Sequence, residues 1–190
     1  MSTAALRSLR NWSSTESAPE AAPRSVVLRA PRSVDGMAVH DLIRRCKPLD
    51  ENSVYCNLLQ ASHFRDTSVA AEDENGRLLG FISGYRVPDR PDTLFVWQVA
   101  VSAEARGLGL GKRMLKDILE RDGHEDIRFM HTTVTPDNAA SWGMFKSFAR
   151  DLDAPLDSTV MFASDVHFEG RHDDEMLIEI GPFGSGADPA

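Results

Sequence analysis

The sequence predicts an α+β fold, with strands and amphipathic helices interspersed along one chain. Two observations carry that expectation. Apolar runs of strand length are interspersed with segments whose apolar positions recur at helical spacing. In addition, an apolar strand is joined to an amphipathic helix through the glycine-rich turn Arg106-Gly-Leu-Gly-Leu-Gly111. With 190 residues, 42% hydrophobic and 26% charged, the chain suits one folded domain with its own core.

Taken in order, Ser25–Arg29 reads as a first strand. A helix follows over Ser33–Cys46, with Val34, Met37, Ala38, Ile43 and Cys46 as its apolar stripe, and Pro48 ends it. Leu49–Ser53 is a connector with capping residues, and a short second helix runs to about Ser62. Thr67–Glu72 and Leu78–Arg86 form a hairpin across Asn75-Gly76, a strong turn pair. A loop with Pro88 and Pro91 leads to the strand Leu94–Val101 and the glycine turn. The helix after it covers about Gly109–Arg121, with Met114, Leu115, Ile118 and Leu119 inward. Ile127–Val134 is a strand, Thr135-Pro-Asp-Asn138 opens a helix through Ala149, and Ser158–Phe168 and Met176–Ile180 close the sheet. No internal repeat divides the chain. The expected organisation is a flexible leader over residues 1–24, a domain over 25–180 and a disordered tail over 181–190.

Lys and Arg total 21 against 29 Asp and Glu, a net charge of −8. An acidic chain is a poor nonspecific ligand for nucleic acid. No segment has the length and apolarity of a membrane span, and the first residues lack the apolar core of a signal peptide. Cys46 and Cys56, both in predicted helices, read as small hydrophobes of a reduced, cytoplasmic protein. No His or Cys set has metal-ligand spacing, so no metal is expected.

The turn carries the chemistry. A turn entering a helix aims free backbone N–H groups and the positive end of the helix dipole at one spot, which favours a phosphate. Glycines let the main chain approach a bulky anion. The dinucleotide fingerprint fits badly, because after Gly107 and Gly109 the third glycine position is Lys112.

Arg106, Gly109 and Gly111 match the arginine-x-x-glycine-x-glycine signature of the GNAT acetyltransferases, and the element order over Ser25–Ile180 is similar to theirs. The resemblance implies a central mixed sheet flanked by helices and splayed at an acetyl-coenzyme A slot. It places Arg106, Gly107, Leu108, Gly109, Leu110 and Gly111 on the pyrophosphate, the backbone of Val99 and Val101 along the pantetheine, and Asn138 facing the cofactor. One departure stands out. Many family members carry a tyrosine acid on the helix after the asparagine, whereas Phe145 and Phe148 occupy that stretch and donate no proton. A tyrosine acid would have to be Tyr55 or Tyr85.

Narrower matches lie in Leu49-Asp-Glu-Asn-Ser-Val-Tyr55, His63-Phe64, Phe95-Val-Trp-Gln-Val99, Thr135-Pro-Asp-Asn138 and His172-Asp-Asp-Glu175. These resemble the diaminobutyrate acetyltransferases of ectoine biosynthesis. The resemblance implies acetyl transfer to the 4-amino group of L-2,4-diaminobutyrate, a homodimer, and a pocket containing Tyr55, Trp97 and His172 beside Asp50 and Glu175.

The chemistry of the residues is compatible with this. A diamine needs carboxylates for its ammonium groups and a route for the reacting amine to lose its proton, and Asp50 and Glu175 are candidate anions. Trp97 can offer a ring face to an ammonium. Glu175 or His172 is the candidate proton acceptor, and Tyr55 the candidate amine ligand or thiolate acid. A backbone N–H near Val99–Val101 is the candidate oxyanion donor. Arg65, Arg86 and backbone amides are all open as partners of the substrate carboxylate. Each residue also has a plainer reading: Asp50 as a cap, Trp97 as core, and His172–Glu175 as a solvated charge run. Acetylation of another small amine or of protein lysine, and a catalytically silent acyl-coenzyme A sensor, are the competing functions.

Overall fold

The computed structural model describes residues 25–184. Among these residues, seven strands form one sheet in the order β1-β2-β3-β4-β5-β7-β6. They are β1 (Val26–Arg29), β2 (Val69–Asp73), β3 (Leu78–Val87), β4 (Arg90–Val101), β5 (Phe129–Val134), β6 (Leu156–Phe162) and β7 (Glu175–Ile180). Only β4 and β5 run parallel; every other neighbouring pair is antiparallel. The sheet is therefore mixed, as expected.

Helices cover both faces. On one, α3 (Leu110–Leu119) buries Leu110, Met114, Leu115 and Ile118, and α4 (Ala139–Asp151) buries Phe145, Phe148 and Ala149. These pack on Val69, Leu79, Ile82, Leu94, Val96, Met130 and Ile178 of the strands. Each such fully buried aliphatic side chain contributes about 1.5–3 kcal/mol. On the other face, α1 (Gly36–Arg45) sets Val39, Leu42 and Ile43 against Ala70, Phe81 and Ala100, and α2 (Val54–Ser62) lies beside it.

The α1 stripe differs from expectation. Val34 and Met37 are 78% and 56% exposed, and Ala38 is exposed too. Residues 33–35 form a 3-10 turn, and the helical phase is set by Val39, Leu42, Ile43 and Cys46, a strict i, i+3, i+4, i+7 series. Three further boundaries move. The β3–β4 connection is tight, with Val87 opposite Arg90, so Pro91 belongs to the strand. β6 stops at Phe162 and the chain makes a one-turn helix α5 (Ser164–His167) where a continuous strand to Phe168 was expected. The C-terminal tail does not begin at 181: Phe183 is buried, and its N–H donates to Arg128 O while its carbonyl accepts from Arg128 Nε. The leader at 1–24 and the last six residues lie outside the described part. No helix among the described residues is long and apolar enough to cross a membrane.

Both cysteines are free. Cys46 caps the end of α1, donates its thiol to Val101 O at 3.3 Å, and is pushed up in pKa by burial; burial also raises Cys56. Neither is an activated thiol.

Candidate active site

The site begins with a fault in β4. Ser83 pairs with Gln98 and Gly84 with Val96, so Trp97 is an extra residue, a β-bulge. Beyond it β4 leaves its parallel neighbour: β5 pairs only with Thr93–Val96. Ser102 N–H donates to Leu79 O on β3, so strand alternation turns the main-chain groups of Val99 and Val101 the other way, into the opened gap. Val101 O there already accepts from Cys46 Sγ and Arg106 Nε. Of the two backbone groups that Val101 turns into the gap, the carbonyl is thus engaged within the chain.

The glycine turn lies past the end of β4. Gly107 and Gly109 have φ of +77° and +69°, and a Cβ on either would meet nothing within 4 Å. Gly109 is the N-cap of α3, whose first i→i−4 bond is Arg113 N–H to Gly109 O. The N–H groups of Leu110, Gly111 and Lys112 thus precede the helical ladder. Open space, left-handed backbone and free donors fit a pyrophosphate. Gly111 differs from its neighbours. It is buried, and a Cβ there would come within 2.6 Å of Met144 Sδ, so it also lets α3 approach α4.

Between the loop before α2, the bulge, β5, the start of α4 and the segment before β7 lies a cavity of about 960 Å³. It brings together Asp50, Trp97, Val99, Asn138, His172 and Glu175, residues far apart in sequence. Asp137 and Asp173 add further carboxylates, against Arg171 and His172 as the basic side chains. Arg171 is turned to Glu169 at 2.6 Å.

His172 is the most informative titratable group. Its Nδ1 lies 2.8 Å from Asp173 O; a carbonyl only accepts, so Nδ1 carries the hydrogen and Nε2 is the nitrogen left to exchange a proton. That hydrogen bond raises its pKa above the ordinary histidine value; desolvation opposes it, and the charges of Glu175, Asp50 and Asp173 add to the rise. Asn138 caps α4, its Oδ1 accepting from Ser141 N–H. Gln98, on the bulged strand, accepts from Asn52 Nδ2 at 2.9 Å and donates to Asp50 O at 3.1 Å, fastening the Asp50 loop to β4.

Other expected residues fall elsewhere. Tyr55 sits on the first turn of α2, 69% exposed and outside the cavity lining, although Asn52, three positions earlier, lines it. Tyr85 stacks on Phe95 at 5.2 Å, meets Trp97 edge-on at 6.5 Å, and faces a separate cavity. Phe145 does line the main cavity, at the helix where a tyrosine acid is common. Arg86 is engaged by Asp126, Gly123 O and Pro91 O, and Arg65 lies against Asp66; neither lines this cavity. Sequence reasoning missed Asn52, Gln98 and Ser164. A glutamine on a central strand was the available signal for one of them.

Residues 37–149 match the model of the acetyltransferase (GNAT) family, more than half of the chain. The chain belongs to the GNAT acetyltransferase family. Its relatives include two proteins named L-2,4-diaminobutyric acid acetyltransferase. The one from Methylotuvimicrobium alcaliphilum is 54% identical over 83% of this chain and 91% of the relative; the one from Chromohalobacter salexigens is 47% identical over 85% and 84%. Among solved structures, a diaminobutyrate acetyltransferase from Paenibacillus lautus, in complex with L-2,4-diaminobutyric acid and coenzyme A, aligns with a TM-score of 0.81. It is 41% identical and covers 86% of this chain and 99% of that one. The ribosomal-protein-S18-alanine N-acetyltransferase of Escherichia coli, 13% identical with a TM-score of 0.68 over 87% of this chain and 99% of that one, shares the fold.

Proposed function

We propose that this chain transfers acetyl from acetyl-coenzyme A to the 4-amino group of L-2,4-diaminobutyrate, giving the N4-acetyl product used in ectoine synthesis. The observation that carries the reading is the juxtaposition of two environments along one strand. The glycine turn beyond the end of β4 suits a pyrophosphate, and the acid-lined cavity at the bulge suits a cationic diamine. The relatives named for this reaction and the substrate-bound neighbour support the same choice.

Acetyl-coenzyme A supplies the acetyl group as a thioester. In the proposal the N–H groups of Leu110, Gly111 and Lys112, with Arg106, hold the pyrophosphate, and Val99 offers its main chain to the pantetheine. A neutral amine already attacks a thioester readily, so the chain has to align it, take its proton and stabilise the oxyanion. Asp50 and Glu175 draw the ammonium groups, Trp97 walls the cavity, and the Val99 N–H meets the oxyanion. Proton acceptance falls to Glu175 or to His172 through Nε2. The carboxylates that attract a cation also help raise the His172 pKa; an ammonium seated among them opposes that field and favours the neutral, accepting form. Tyr55 reaches the amine only if the first turn of α2 closes over the cavity. A homodimer and a cytoplasmic location belong to the same proposal. The outer strand β6, which exposes Val160, Met161 and Phe162, offers a surface for pairing, and sedimentation of the full chain tests it.

The deciding experiment is thiol release from acetyl-coenzyme A with diaminobutyrate, ornithine, lysine and a lysine peptide, with NMR of the product. Diaminobutyrate should be preferred, with acetyl on the terminal nitrogen, because each added methylene displaces the reacting amine from a fixed frame. Equal efficiency with lysine, or acetyl on the α-nitrogen, rejects the reading.

A further inference from the structure

We propose that the one-turn helix α5, through Ser164 and with Phe168 and Asp174, is a positioning device for His172, setting the imidazole so that Nε2 faces the cavity. This rests on the acetyltransfer reading above.

The crossing from β6 to β7 is tied in three places. Ser164 N–H donates to Asp174 Oδ1 at 2.6 Å, and Ser164 Oγ donates to His172 O at 2.5 Å. One residue thus ties down the His172 carbonyl and the side chain two positions after it. The Phe168 ring lies 4.8 Å from the His172 ring, tilted by 41°. Phe168 is itself backed edge-on by Phe162 at 6.4 Å, which anchors this prop to the end of β6. The Nδ1 contact to Asp173 O fixes the remaining rotation. Main chain, ring face and one ring edge are all restrained, and the Nε2 edge is left.

The surrounding elements explain why this matters for chemistry more than for the sheet. β7 is already held by β5 on one side and β6 on the other, so the sheet does not need α5 to place it. His172, by contrast, belongs to neither strand. The charged groups facing it are Asp50 from the loop before α2, Asp173 beside it and Glu175 at the start of β7; Arg171 is turned to Glu169. A rotation of the ring changes its distance to all three carboxylates and to the amine at once. Misplacements of about 1 Å at a reacting group cost on the order of 100-fold in rate. Ser164 therefore acts as a positioning residue, as do Phe168 and Asp174.

The test uses Ser164→Ala, Ser164→Thr and Phe168→Leu in the full chain, alone and combined with His172→Gln. Ser164→Ala and Phe168→Leu should each lower kcat about tenfold, an effect expected where a group is held only loosely. The KM for acetyl-coenzyme A should stay unchanged, and Ser164→Thr should restore most of the rate. In the His172→Gln background the same changes should add nothing, because both act through one group. Losses that multiply with His172→Gln, or wild-type kcat in folded variants, overturn the proposal. NMR titration of the His172 ring separates this from the activity reading. Loosening the ring should move its pKa down toward the ordinary histidine value in Ser164→Ala whatever the enzyme acetylates, and an unchanged titration overturns the positioning role. A wild-type chain inert toward every diamine would reject the substrate reading instead.

Discussion

The glycine turn at α3 and the acid-lined cavity at the β4 bulge are built by opposite means. The turn offers main chain: left-handed glycines, a helix start, and N–H groups that exist whatever the neighbouring side chains are. The cavity offers side chains from the loop before α2, from β4, from α4 and from the segment before β7, and none of these segments makes a site alone. A backbone site is local and chemically generic, suited to a shared acyl carrier. A side-chain site is assembled across the fold and carries the selectivity.

The largest effect should come from the cavity. Glu175→Gln should cut kcat/KM for diaminobutyrate about 100-fold or more, since losing the charged partner of an ammonium costs about 3 kcal/mol. Coenzyme A affinity measured by calorimetry should hold; a parallel loss of both would erase the division between the two regions. At the turn, Gly109→Val forces a β-branched residue to φ +69° and places its side chain where an anion would lie. Coenzyme A binding should weaken about tenfold or more, from a left-handed penalty of about 1–2 kcal/mol alone. Unchanged calorimetric affinity in a folded variant would take the phosphate away from this loop.

Smaller effects sharpen the contrast. Tyr55→Phe should lower kcat by about tenfold, the low end of a proton-transfer or ligand contribution, and Tyr85→Phe by less. Wild-type kinetics for Tyr55→Phe across pH would mean that α2 does not close on the substrate. Asp50→Asn should move the His172 titration downward, because Asp50 is one of the charges holding it up. As a raised group, His172 adds stability below the ordinary histidine value and loses it as pH rises through its folded value; an NMR pH series reads both. Gly111→Ala should be the mildest. Its new methyl presses on the flexible Met144 side chain, so the melting temperature should fall by a few degrees, about 1 kcal/mol, with coenzyme A affinity nearly intact.

The same division explains what the sequence discloses. Strand and helix order, the Asn75-Gly76 hairpin and the glycine turn depend on neighbours in the chain, and each is visible as a local pattern. The exposed Val34 and Met37 mislead because helical phase is chosen by contact with Phe81 and Ala100 across the fold. The end of β6 at Phe162 is equally opaque, since Ser164 turns the chain by bonding to Asp174 and His172, ten and eight residues away. Asp50, Trp97, His172 and Glu175 are marked by resemblance and share a cavity, but chemistry alone could not have joined them. Gln98 shows why: its function as a tie to the Asp50 loop needs a partner that sequence spacing does not reveal.

The bulge at Trp97 also leaves the sheet mechanically divided. The four strands β1–β4 and the three strands β5, β7 and β6 are stitched by only four parallel residue pairs, Thr93–Val96 with Phe129–Thr132. A molecule lying along the gap does what a missing length of strand would do, and fastens one part of the sheet to the other. Occupancy therefore becomes a seam: the amides of Val99 and Val101 should exchange with deuterium more slowly when the slot is filled, and the folded state should gain stability in proportion to the logarithm of ligand concentration.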